Sequence, residues 1–312
     1  MIESLHSPHI ARVKALIGSK GAKERHEQGL FVAEGIQCAR EALHNNRGPE
    51  IKTIYATENG LSKLADYDFA AFEVIEVSEA VMKAMSDTVT PQGVVTVCYK
   101  PELTLTDLPE VKIPVIVYLH QIQDPGNAGT ILRTADAMGV SAVITSPESV
   151  DMYSPKVVRA TAGSLWNIPV VEGVLLRDLT AKFSSAHKYL LSSHATKRID
   201  EISIDGGAIA IFGNEARGVS AAELGEAVTE ITIPMNGRAE SLNLSAAAAI
   251  TAASCFSVNG WRMLVVSNLL KSKVMPMSWG NNLYQYISVR LDHYVSVKRM
   301  KMNSCILLLF GI

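Results

Sequence analysis

The sequence predicts an α/β protein in two parts, and three observations carry that expectation. Short apolar, β-prone runs alternate with stretches of helical spacing along most of the chain. A segment at residues 100–113, followed by Pro114 and itself holding Pro101 and Pro109, interrupts that alternation and divides it in two. The 312-residue length, with 48% apolar and 19% charged residues, is enough for two ordinary domains, each with its own core.

In the first part, Ile10, Val13, Leu16 and Ile17 recur at helical spacing. Strand-like runs follow at 29–33, 51–56, 73–77 and 93–99, with helical stretches between them. Such a unit is a small α/β layer. Its first 25 residues hold five Lys/Arg (Arg12, Lys14, Lys20, Lys23, Arg25) against two Glu, a basic face suited to phosphate. A solvated helix face has the same composition.

In the second part, a strand at 115–119 leads through a loop to a helix at 130–138 and a strand at 142–145. Further strands are expected at 188–192, 208–212 and 230–233, and a helix beginning near Leu242 runs into AAAAITAA. Strands alternating with helices imply a mostly parallel sheet covered on both faces.

Several function classes are excluded or left without support. No apolar run reaches the roughly 18 residues that span a membrane, and the N-terminus has no signal-peptide run, so a soluble cytoplasmic protein is expected. Cys38, Cys98, Cys255 and Cys305 are far apart and form no CxxC pair, and His26, His120 and His194 show no ligand spacing; no metal is expected. The net charge of −2 gives no global sign of nucleic-acid binding, so that case rests on local features.

Ligands of such sheets bind beyond the carboxyl ends of the strands. Three loops there are unusually polar. In the first, DPGNAGTILRTADAMG, Asp124 to Asn127 read as a tight turn, and Arg133 as lying in the first turns of the following helix. The dipole there favours anions, so an arginine at that place calls for an anionic partner, phosphate among them. The second, FGNEARG, holds Gly213, Asn214, Glu215 and Gly218, without the spacing of a dinucleotide or phosphate loop. The third, IPMNGRAESLNLS, crowds Glu240, Ser241, Asn243 and Ser245 ahead of the alanine-rich helix, more than one helix cap needs.

Together, in this order and spacing, these loops resemble the three signature motifs of the SpoU/TrmH family of RNA ribose 2′-O-methyltransferases. The segment KVVRATAGSLWNIPV, with Arg159 and Gly163, resembles the family's linking element, and GLFVAEGIQCAREAL and SDTVTPQGVVTV resemble the substrate-binding domain that often precedes it. Ala128 departs slightly, where the family carries a bulkier apolar residue. The resemblance covers about residues 4–254 and implies an RNA substrate-binding domain at 1–105 with a small ribosomal-protein-like fold. It implies an S-adenosylmethionine-dependent domain at 113–256 with a deep trefoil knot, homodimerisation through that domain, and ribosomal RNA as target ahead of transfer RNA. Carried over by position, Arg133, Asn127, Glu215, Ser241 and Asn243 fall in the catalytic set, and Gly213, Ile233, Leu242 and Met235 in the cofactor set. Arg12, Lys14, Lys23, Arg25 and Arg159 are the RNA-contact candidates. A non-catalytic RNA-binding protein of the same fold is the alternative, one that needs the first domain but not Arg133, Glu215 and Asn243 together.

The end of the chain departs from the family. Residues 257–312 carry seven Lys/Arg against Asp292 alone, and five of the chain's eleven methionines. They are expected to be a foreign, poorly ordered basic tail, with a lineage-specific extension as the alternative.

Overall fold

The computed structural model describes residues 1–45, 47–202, 205–239 and 241–256. The expectation for the tail at 257–312 lies outside the described residues, as does Glu240.

The first part runs α1 (Pro8–Ile17), α2 (Gly21–Gln28), β1 (Leu30–Glu34), α3 (Ile36–His44), β2 (Ile51–Ala56), α4 (Glu58–Ser62), β3 (Val74–Glu76), α5 (Glu79–Met85) and β4 (Val94–Tyr99). Ser7 opens α1 by accepting a hydrogen bond from the His9 amide, and Pro8 occupies the first helical turn, where no amide hydrogen is needed. Ile10, Val13 and Leu16 are buried, at about 1.5–3 kcal/mol for each such side chain. The four strands form a mixed sheet in the order β1-β4-β2-β3.

The second part runs β5 (Val115–Leu119), α6 (Pro125–Ala137), β6 (Ala142–Thr145), α7 (Pro155–Thr161), β7 (Val170–Val171), α8 (Leu176–Lys182), β8 (His187–Leu191), β9 (Ala208–Phe212), α9 (Ala221–Leu224), β10 (Thr229–Ile231) and α10 (Leu244–Phe256). Its six strands are parallel, in the order β10-β8-β9-β5-β6-β7. β5 and β9, at the centre, are buried along their whole length, as continuous apolar runs in a parallel sheet require. In register, Leu119 lies opposite Phe212 and the His120 amide donates to the Phe212 carbonyl at 2.8 Å. The loops after β5 and β9 therefore leave the sheet side by side.

Two expectations are corrected. The helix placed at 130–138 begins at Pro125, because Asp124 caps it by accepting from the Asn127 amide at 2.7 Å and Pro125 starts its first turn. The alanine-rich helix begins at Leu244, two residues later than expected.

Each sheet keeps apolar clusters of its own, but the largest is shared. Phe31, Cys38 and Cys98 from the first part pack with Tyr153, Val158 and Trp166 from the second. Phe31 meets the Tyr153 ring edge-on at 5.1 Å, and Trp166 Nε1 donates to the Pro49 carbonyl at 3.0 Å. Gly163, at φ +97°, turns the chain where a Cβ would strike Glu41 of α3 at 2.3 Å, so a side chain there would push the two parts apart. Burial pushes the thiols of Cys38 and Cys98 up, Cys38 to about 12, so both are inert core groups.

Candidate functional site

Asn127, in the first turn of α6, is the point at which the three loops meet. Its side-chain oxygen accepts from Asn243 Nδ2 at 3.1 Å and from Ser245 Oγ at 3.1 Å, and its Nδ2 donates to Glu215 Oε1 at 3.4 Å. Glu215 also accepts from the amides of Gln123 (3.1 Å) and Asp124 (3.0 Å), so its carboxylate lies at the positive end of α6. Asn243 Oδ1 in turn accepts from the Ser245 amide at 2.9 Å, which caps α10. The packing of α10 on α6 and β9 holds this arrangement in place.

Of the residues expected in the catalytic set, Asn127, Glu215 and Asn243 come together in this cluster. Ser241 is exposed and does not cap the helix; Asn243 takes that role. Ser245, which the sequence marked only as one of several crowded polar positions, belongs to the cluster. Asn214 and Arg217 were not assigned from the sequence. Asn214 Nδ2 donates to the Gln121 carbonyl at 2.9 Å, and the Arg217 guanidinium donates to Gln121 Oε1, which tie the second loop to the first.

Arg133 stands apart. With α6 starting at Pro125, it falls in the third turn, out of reach of the helix N-terminus. The dipole therefore does not call for an anion beside it. Thr130, Arg133 and Ala137 form an exposed stripe of α6, and among the described residues the Arg133 guanidinium has no hydrogen bond or ion pair.

Gly213 ends β9 where a Cβ would meet the Val219 amide nitrogen at 2.7 Å, so the second loop can close only over a glycine. Ile233 is buried after β10, whereas Met235 and Leu242 leave more than a third of their surface exposed. Met235 and Leu242 thus offer uncovered apolar surface to a ligand with an apolar face.

The basic residues divide. Arg12, Lys14 and Lys23 are exposed. Arg25 is buried, pairs with Asp151 through Nε and Nη2 at 2.8 Å, and donates to the Leu16 carbonyl. Arg159 reaches Asp87 at 2.7 Å and Glu34 at 3.5 Å. Both arginines join the first part to the second; Arg25 has no surface left for RNA and is a structural tie instead, whereas Arg159 keeps part of its side chain exposed. Lys100–Glu172 at 2.8 Å makes a third link across the same boundary. Among the described residues no cluster of metal-ligating side chains occurs, and no helix is long and apolar enough to cross a membrane.

Comparison with known proteins follows the same division of the chain. Residues 114–253 match the SpoU rRNA Methylase family, and residues 8–96 match an MRM3-like substrate binding domain. The chain is 33% identical over 231 residues to the 23S rRNA guanosine 2′-O-methyltransferase RlmP of Bacillus subtilis, covering 73% of this chain and 89% of that one. It is 32% identical over 255 residues to an uncharacterised tRNA/rRNA methyltransferase of Synechocystis, covering 80% and 90%. The AdoMet-bound rRNA methyltransferase of Sinorhizobium meliloti superposes with a TM-score of 0.70 at 30% identity, over 81% of this chain and 96% of that one.

Proposed function

The chain belongs to the SpoU rRNA methylase family, and from that premise we propose that it methylates a ribose 2′-hydroxyl in ribosomal RNA. The methyl donor is S-adenosylmethionine. The convergence of three distant loops on Asn127 carries the proposal, because a binding module alone has no need to fix Glu215 and Asn243 to the start of α6.

The chain's own residues fit that donor. Gly213 lets the second loop close, and Ile233, Met235 and Leu242 offer apolar surface for the adenosyl group, the last two still uncovered. When bound, the donor supplies a methyl group already activated by its sulfonium charge. What the protein supplies is position and charge stabilisation. Arg133 orients the RNA phosphate and stabilises the developing 2′-alkoxide; a guanidinium with a pKa above ~12 serves better as donor than as base. Asn127, Glu215, Asn243 and Ser245 hold the three loops together at the start of the helix that carries Arg133. Ser241, exposed beside them, is left to contact RNA or cofactor.

The proposal extends to the finer architecture. Residues 1–105 are the substrate-binding domain and 113–256 the catalytic domain, with Arg12, Lys14 and Lys23 offered to RNA phosphates. The C-terminal segment forms a trefoil knot, and two copies associate through the catalytic domain in the cytoplasm. Support for the dimer comes from the exposed Arg133 stripe, which a partner's site would complete. Relatives that act on 23S rRNA favour ribosomal over transfer RNA.

The test is transfer of labelled methyl groups from S-adenosylmethionine to ribosomal RNA, with the modified nucleotide mapped as resistance to alkaline cleavage. Tight donor binding without transfer to any ribosomal RNA would refute it.

A further inference from the structure

Among the described residues, three that are not glycine hold left-handed backbone: Gln121 at φ 50°, Glu148 at 63° and Ala162 at 48°. Ala162 ends α7, a place where that conformation is ordinary. Gln121 ends no helix. It lies two residues beyond β5, where the first loop begins, and a glutamine meets a steric penalty there that glycine does not.

A strained residue persists only where its surroundings over-determine it, and those of Gln121 do. Its amide donates to Ser146 Oγ at 2.7 Å, beyond β6, and its carbonyl accepts from Asn214 Nδ2 at 2.9 Å, beyond β9. Its side chain donates to Glu148 Oε2 at 3.1 Å and accepts from the Arg217 guanidinium. Ser146 is buried and Asn214 half-buried, whereas Glu148 and Arg217 are exposed, so water competes least for the two backbone bonds. The φ angle sets how the amide and the carbonyl-bearing bond are turned relative to one another. At an ordinary negative φ, Gln121 would have to give up either Ser146 or Asn214.

Asn214 is equally committed. Its Oδ1 accepts from the amides of Ala216 at 3.0 Å and Arg217 at 3.3 Å, and its carbonyl from the Gly218 amide at 2.8 Å. Residues 214–218 are thereby folded into a closed turn, with Asn214 Nδ2 facing outward to Gln121. The second loop is joined to the first at Gln121 and again where Glu215 accepts from the Gln123 and Asp124 amides. One attachment would let the turn pivot; two fix its rotation as well as its place.

We propose that Gln121 is a positioning residue for methyl transfer: its left-handed backbone sets the rotation of the second loop, and so the seat of Glu215 beside Asn127. The inference rests on the RNA methyltransferase reading and deepens it. Gln121 acts through Asn214, not on the reacting atoms, and its backbone carries the effect.

Gln121→Gly, Gln121→Ala and Gln121→Val, made in the full chain, separate backbone from side chain. All three lose the side-chain bonds to Glu148 and Arg217. They differ in tolerance of left-handed backbone, which is open to glycine, unfavourable for alanine and worst for a β-branched residue. Amide hydrogen exchange followed by NMR reads the turn at Ala216, Arg217 and Gly218, and turnover on ribosomal RNA reads the consequence. Protection at those amides should fall in the order Gln121→Gly, Gln121→Ala, Gln121→Val, with β5 and β9 protected as in the parent. At saturating S-adenosylmethionine, kcat should fall in the same order, since small misplacements near a reacting centre are costly. The loss expected is about tenfold or more for Gln121→Val, against about threefold or less for Gln121→Gly, at unchanged KM for RNA. Gln121→Ala keeps the comparison decisive if Gln121→Val does not fold. Three variants alike in exchange or in turnover overturn the proposal, as does a loss of kcat that merely follows a falling melting temperature. If the exchange order appears in a protein whose parent methylates no RNA, the enzymatic reading fails and the hold of Gln121 on the second loop stands.

Discussion

Replacing Asn127 with alanine removes the one side chain that, among the described residues, joins all three loops. Two of its hydrogen bonds are 3.1 Å long and the third, to Glu215, is 3.4 Å. A net contribution of about 0.5–1.5 kcal/mol per good bond would give about 1–3 kcal/mol for the two shorter ones. Asn127 is only half-buried, so water re-solvates part of what is lost, and about 1–2 kcal/mol is expected. Urea unfolding of Asn127→Ala, Asn243→Ala and the double variant isolates their coupling. A coupling of about 0.5–1 kcal/mol is expected, with methyl transfer falling far more than stability does, because Glu215 and α10 lose their shared anchor. Asn127→Asp should be worse than alanine above neutral pH, since it sets a second carboxylate beside Glu215. Repulsion raises the folded-state pKa of the new Asp, so its extra destabilisation is present at high pH and relieved as pH falls through that value. Strict additivity of the two alanine variants, together with normal turnover, would show that Asn127 does not organise the site.

Arg25→Ala strands Asp151 and should cost about 3–5 kcal/mol in chemical denaturation, as loss of one partner of a buried pair does; an unchanged midpoint would contradict the tie. Arg133→Ala should abolish methyl transfer at unchanged melting temperature and donor affinity, because the side chain is exposed, and Arg133→Lys should also fail since an ammonium lacks the planar fork. Near-normal turnover in either variant would remove Arg133 from the reaction. Deleting residues 1–105 should yield an aggregation-prone remainder, since Tyr153, Val158 and Trp166 lose Phe31 and Cys98; a monodisperse fragment with a sharp melting transition would count against the shared core. Partial burial, and then the charge of Arg217, lowers the His120 pKa below its ordinary 6.5, so the stability of the neutral ring is full above that value and is lost as pH falls below it. The melting temperature of His120→Gln should therefore vary less between pH 7 and 5, and equal slopes would dismiss the effect.

The strands of the parallel sheet were legible because burial on both faces writes continuous apolar runs; β5, β6 and β9 stand where the pattern put them. β7, two residues long, is too short for any period to mark. Asp124-Pro125 is an ordinary cap-and-first-turn pair, yet the glycine beside it reads equally well as a turn, and that ambiguity misplaced Arg133 relative to its helix. The roles of Arg25 and Arg159 could not be read locally. Their partners lie up to 126 residues away, and nothing around a basic residue tells a phosphate contact from an ion pair until the tertiary structure is known. The family resemblance, by contrast, singled out Asn127, Glu215 and Asn243, three side chains that the structure brings together.

The bonds around Asn127 span 88 to 118 residues of sequence, which bears on how the protein comes into being on the ribosome. The first loop emerges long before Glu215 and longer still before Asn243 and Ser245. Until α10 has been synthesised, the start of α6 lacks the partners that fix it, and the apolar sides of α6 and β9 lack their cover. The nascent chain is thus catalytically silent through most of its synthesis and exposes sticky surface during the same interval. A ribosome that stalls between Phe212 and Leu244 releases a product with nearly the whole sheet and no working site.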